Sequence, residues 1–143
     1  MEPRLFLLPV ILLIGSCSPE LKNSPVQSTI DEHEITNVWH KAKLRGVSFR
    51  AIGQEPGWLL EITDGVDIVL KTGYGGTTEI FPFVSPEVSQ TERSTRFVVQ
   101  EGRFEIILDG KECSDTMSGE IFETAVLIKL AGRNLVGCGR ALH

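Results

Sequence analysis

From Val47 onward, apolar and polar residues alternate in short runs separated by turn residues. In "VSFRAI" the alternation puts Val47, Phe49 and Ala51 on one face, as a half-buried strand requires. "WLLEIT" and "VDIVLKT" flank Asp64-Gly65, a pair that favours tight hairpins because both residues tolerate left-handed backbone. "TRFVVQ" and "RFEIILD" flank Glu101-Gly102, and "TAVLIKL" and "NLVGCGRAL" flank Ala131-Gly132-Arg133. "TTEIFPF" makes one more strand, which Pro82 pushes to an edge or a bulge because proline donates nothing to a ladder. Pro56-Gly57 in "GQEPGW" suits the two central positions of a β-turn. The pattern predicts a mainly β fold of about eight antiparallel strands. Successive hairpins make a meander, and about eight strands close into a small barrel filled by side chains.

Ahead of the strands the period changes. Ile35, Val38, Trp39 and Ala42 recur at helical spacing and form one apolar stripe. Thr29 and Glu32 have the spacing of a capping box. Asp31, Glu32 and Glu34 at the start, and Lys41, Lys43 and Arg45 at the end, suit the helix dipole, and Gly46 is a natural stop. A helix is predicted over residues 31–45, packed across one open end of the barrel. Residues 18–28, "SPELKNSPVQS", are polar, carry two prolines and read as a tether.

Residues 5–14 are apolar throughout apart from Pro9. About ten residues are too few to span a bilayer as a helix and match the core of a signal peptide. Ile14-Gly15-Ser16-Cys17 then resembles the lipobox of bacterial lipoproteins. That resemblance implies cleavage before Cys17 and acylation of its thiol and new amino group. Acyl chains would hold the protein at a membrane without a spanning segment, each buried CH2 contributing about 0.8 kcal/mol. Ser18 in place of aspartate implies, by the sorting rule of enteric lipoproteins, the outer membrane and its periplasmic face. An ordinary secretory signal cut nearby would instead leave Cys17 free. The expected organisation is a signal peptide over 1–16, lipidated Cys17 and tether over 17–29, and one domain with an N-terminal helix over 30–143. The mature chain of about 127 residues is long enough for one core.

Three cysteines are present, at 17, 113 and 138. With Cys17 lipidated, two remain in an oxidising compartment, and two make one bridge. A Cys113–Cys138 disulfide closes a loop of roughly 25 residues, worth about 3.5 kcal/mol by loop-closure entropy. The chain has no CxxC motif. The net charge of −5 weighs against a nucleic-acid partner and leaves room for a basic one.

"CSDTMSG" places Asp115, Thr116 and Ser118 beside a cysteine, but a serine nucleophile needs a base, usually histidine. The histidines, His33, His40 and His143, show no motif spacing to Ser118. The plainer reading is a tight turn in which Asp115 and Ser118 bond backbone amides and Gly119 supplies a permissive φ. Glu55 is the residue its turn does not explain: it either bonds loop amides or presents a carboxylate at a rim. Trp58 begins a strand and caps the core or joins that rim. Tyr74, in the glycine-rich "TGYGGTT", is a candidate exposed contact. That stretch lacks the lysine of a phosphate loop. Arg140, near Cys138, completes the candidate binding residues. No ligand-spaced cluster points to a metal or cofactor, and no catalytic set assembles.

"GVSFRAIGQEPGWLLEI", "CSDTMSGEIF" and "LVGCGRAL" together resemble a family of small bacterial envelope lipoproteins without assigned function. The family is similar, distantly, to META-domain lipoproteins and to membrane-bound inhibitors of c-type lysozyme, also small disulfide-bearing barrels. The inhibitors' Ser-Gly-Ala-Arg-Tyr loop is not matched, since Ser118-Gly119-Glu120 shares only its first two residues. The lipid anchor, one compact stapled β-domain and the lack of an assembled catalytic set point to a non-enzymatic binding or accessory module held at the envelope through Cys17, with an unknown envelope protein or hydrolase as partner. The alternative is an inhibitor of a periplasmic or host hydrolase such as lysozyme.

Overall fold

A computed structural model of the chain describes residues 37–74 and 76–143. Cys17, the signal and tether segments, His33 and the Thr29–Glu32 capping box lie outside the described residues. Asn37 is extended (φ −64°, ψ 128°), and its side chain accepts the Trp39 amide at 2.8 Å. Helix α1 (Val38–Leu44) follows, with Lys41 and Lys43 in its last turn. This corrects the predicted helix: an extended, capping Asn37 cannot sit inside a helix begun at residue 31. The apolar stripe also narrows. Ala42 is buried, while Val38 is exposed.

The strands are β1 (Phe49–Gln54), β2 (Gly57–Thr63), β3 (Asp67–Thr72), β4 (Thr77–Pro82), β5 (Glu87–Ser89), β6 (Ser94–Val99), β7 (Phe104–Asp109), β8 (Cys113–Ser114), β9 (Ile121–Phe122), β10 (Thr124–Leu130) and β11 (Arg133–Ala141). Nine of them form one antiparallel sheet in the order β4-β3-β2-β1-β11-β10-β7-β6-β5, curled into a half-barrel. β8 and β9 pair separately. The mainly β antiparallel class is as the alternation predicts. The chain leaves the middle of the sheet at β1, steps outward to β4, crosses to β5, and steps back inward to β11. The first and last strands therefore pair, Phe49 opposite Ala141 and Ile52 opposite Cys138.

The open seam falls between β4 and β5. Pro82 ends β4, where its expected edge position is realised. Phe83 donates its amide to Val66 O at 3.2 Å, so the neighbouring position 82 turns away from β3, where a missing N–H removes no ladder bond. Side chains pack across the seam. Phe81 and Phe104 have ring centroids 4.6 Å apart, and Phe83 and Phe97 6.1 Å. The core collects the inward positions of each strand, including Leu60, Ile62, Ile68, Leu70, Ile106 and Ile128, all essentially inaccessible. Each contributes about 1.5–3 kcal/mol by leaving water.

Turn chemistry sets the register. Ala131 (φ 47°) and Gly132 (φ 78°) form a two-residue hairpin loop between Leu130 and Arg133, with the double positive φ of a type I′ turn. Gly65 has φ 72° in the β2–β3 turn. The β1–β2 turn departs from expectation by one residue: Glu55 and Pro56 are its central pair, joined by a cis peptide, and Gly57 already belongs to β2 opposite Gln54.

Candidate functional site

Trp58 faces inward and is buried. Its indole occupies the space left by Gly53, directly opposite on β1, and by Gly137 on β11. A Cβ at Gly137 would fall 2.6 Å from the indole Cζ2. The indole N–H donates to Val136 O at 3.2 Å. Of its two expected roles, Trp58 takes that of core cap and is withdrawn from the rim.

Three loops meet at one end of the half-barrel. Tyr74, in the β3–β4 connection, donates its hydroxyl to Gln54 O at 2.9 Å. Gln54, at the end of β1, donates its side-chain amide to Asp115 Oδ1 at 3.1 Å. The β1–β2 turn, the β3–β4 connection and the loop after β8 are thus joined through Gln54, a residue that no motif singled out. Gly57 allows the approach, since a Cβ there would lie 2.7 Å from the Tyr74 ring. Tyr74 remains 83% exposed.

Asp115 and Ser118 shape the loop, as the plainer sequence reading expects. Buried Asp115 accepts Ser118 N at 2.9 Å and Ser118 Oγ at 2.6 Å. Ser118 Oγ in turn accepts Glu120 N at 3.1 Å, and Gly119 takes φ 71°. The bonds from the Ser118 hydroxyl and amide hold the Asp115 carboxyl below its ordinary pKa; burial opposes them, and Gln54 adds to them. Ser118 spends its single O–H proton on Asp115, so the hydroxyl is committed to the turn.

The expected disulfide is present. Cys113 and Cys138 are bonded at 2.02 Å, with 5.5 Å between their Cα atoms. The bridge pins residues 110–123, an excursion between β7 and β10, to the outward face of β11. The far end of the excursion is anchored by buried Phe122, whose ring lies 5.2 Å from that of Trp39. Arg140 fills the angle between these rings, its guanidinium 5.2 Å from Trp39 and 4.5 Å from Phe122, and bonds Glu120 at 2.6 Å. Arg50, opposite Arg140 on β1, also sits against Trp39 and pairs with buried Glu61, which Arg45 reaches at 2.7 Å. Helix α1 is therefore clamped on the outward face of the central strands through Trp39, not across an open end. Arg140 belongs to this clamp and not to the rim.

Between the excursion and the sheet lies a cleft of about 510 Å3. Its floor is apolar: Ala125, Leu127 and Val136, which alternate with buried Val126, Ile128 and Leu135, together with the disulfide. Exposed Met117 and Glu55 stand at its lips. Gln54 lines this cleft and also a smaller one of about 280 Å3 under Tyr74. No family model, curated protein or solved structure matches the chain.

Proposed function

We propose that the protein is a lipoprotein of the bacterial envelope, anchored through Cys17, most simply in the outer membrane facing the periplasm, and that it acts as a non-enzymatic binding or accessory module. The observation that carries the binding role is the meeting of three loops around Gln54 on a frame stapled by Cys113–Cys138. A rigid sheet with exposed Tyr74, Glu55 and Met117 at one end is the arrangement by which loops contact a partner. The oxidised cysteine pair supports an exported location. The Asp115–Ser118 pair, the nearest approach to a catalytic dyad in the loop, is occupied with its own turn.

The anchor is tested by growing cells on an alkyne-tagged palmitate and fractionating them. The native chain is expected labelled and in the membrane fraction, and Cys17→Ala unlabelled and released; label on both chains, or on neither, would remove the anchor. A second reading, inhibition of a basic hydrolase such as lysozyme, draws on the net charge of −5 and the exposed Glu55 carboxylate. Unchanged activity of a lysozyme panel at micromolar protein would eliminate it.

A further inference from the structure

We propose that the cleft between the 110–123 excursion and strands β10–β11 binds an extended, cationic peptide segment of a partner protein, seating one apolar side chain on Leu127 and Val136. The inference rests on the binding-module reading and gives that module a site and a ligand class. The size is adequate, since the cleft of about 510 Å3 lies within the usual range of ligand pockets, about 300–1,000 Å3. The floor is unusual for an outward sheet face. Val136 is 67% exposed and Met117, which also lines the cleft, 71% exposed, so apolar surface is left in water there. The unbranched methionine thioether suits a lip that adapts to a side chain.

Charge selects among apolar ligands. Glu55, Asp109 and Asp115 line the cleft against the single cation Lys111. Lys111 lies 3.4 Å from Asp109, and these two offset each other. Asp115 is committed to Ser118 and Gln54. Glu55 is left at one end, and among the described residues no side-chain partner satisfies it. A lysine or arginine next to the apolar residue of the ligand meets that carboxylate. Ser114 of β8 and Thr116 just after it also line the cleft, which places polar groups beside its apolar floor. The disulfide holds this wall in place before binding, which lowers the ordering cost of association.

The test uses the full chain, purified from expressing cells in non-ionic detergent, and three fluorescein-labelled capped peptides, Arg-Phe-Arg, Glu-Phe-Glu and Arg-Ser-Arg, read by anisotropy. Arg-Phe-Arg is expected to bind. Arg-Ser-Arg, lacking the buried ring, is expected to be at least about tenfold weaker. Glu-Phe-Glu is expected to be weaker still. Glu55→Gln should weaken Arg-Phe-Arg about threefold and reduce its salt dependence. Val136→Arg, at an exposed position, should leave the melting curve unchanged and abolish binding. No binding of any peptide below millimolar, equal binding of all three, or native affinity in Val136→Arg would overturn the site. None of these outcomes depends on Cys17, so a failed anchor and a failed cleft are told apart.

Discussion

Removing the Cys113–Cys138 bridge by Cys113→Ala with Cys138→Ala tests what holds the excursion against the sheet. The bridged residues are 25 apart, which sets a loop-closure contribution of about 3.5 kcal/mol. The remaining attachments are buried Phe122, the Gln54–Asp115 bond and the partly exposed Arg140–Glu120 pair. They keep the excursion docked but do not shorten the loop of the unfolded chain, so the stability loss is global. For a domain of about 100 residues, each kcal/mol moves the melting point by about 4–8 °C, so a fall of about 15–25 °C is expected. Circular dichroism melting of the paired variant measures it, and reductant added to the native protein should reproduce the shift. Hydrogen exchange should rise in the slowest-exchanging amides of β10 and β11 as well as in the excursion, as a global loss requires. A melting shift under about 4 °C would refute the reasoning, because it would leave the bridge worth less than about 1 kcal/mol.

Trp58→Ala should cost about 3–5 kcal/mol, since the indole fills space that Gly53 and Gly137 cannot. Trp58→Phe should cost about 1 kcal/mol more than its lost area, through the unpaired Val136 carbonyl; a loss in urea unfolding no larger than the lost area predicts would show that the N–H bond contributes nothing. Asp115, its pKa depressed by the Ser118 bonds, contributes stability that is complete above the ordinary carboxylate pKa of about 3.9 and is lost as pH falls through the lower folded value. Glu105, depressed by its Arg96 bond, shares that window. The measurement is therefore the difference between native protein and Asp115→Asn in melting point from pH 6 down to about pH 2. The difference should shrink with acid, and a constant difference would contradict the assignment.

The hairpins were legible because their turns carry their own signal. Asp64-Gly65 and Ala131-Gly132 sit between alternating runs, and no distant residue is needed to place them. The cysteine pairing was legible for a similar reason, since once Cys17 is set aside only one pairing remains. Short elements escaped. β5, β8 and β9 have two or three residues each, too few to show a period. The burial of Trp58 escaped because the space for it comes from Gly53 and Gly137, and Gly137 is brought near only when β11 pairs with β1. The same non-local pairing places Arg140 opposite Arg50 and beneath Trp39. Gln54 was invisible as a hub because both of its partners, Tyr74 and Asp115, arrive from other loops. The outer cleft depends likewise on an excursion that folds back over the sheet, and composition does not encode that path.

The pairing of β1 with β11 has a consequence for how the chain folds. The seam between first and last strand lies at the middle of the sheet, with Phe49 facing Ala141. The two halves acquire a shared interior only once β11 reaches β1, and contacts so distant in sequence form slowly. Until that pairing forms, each half is an open sheet whose inward face has no opposite wall.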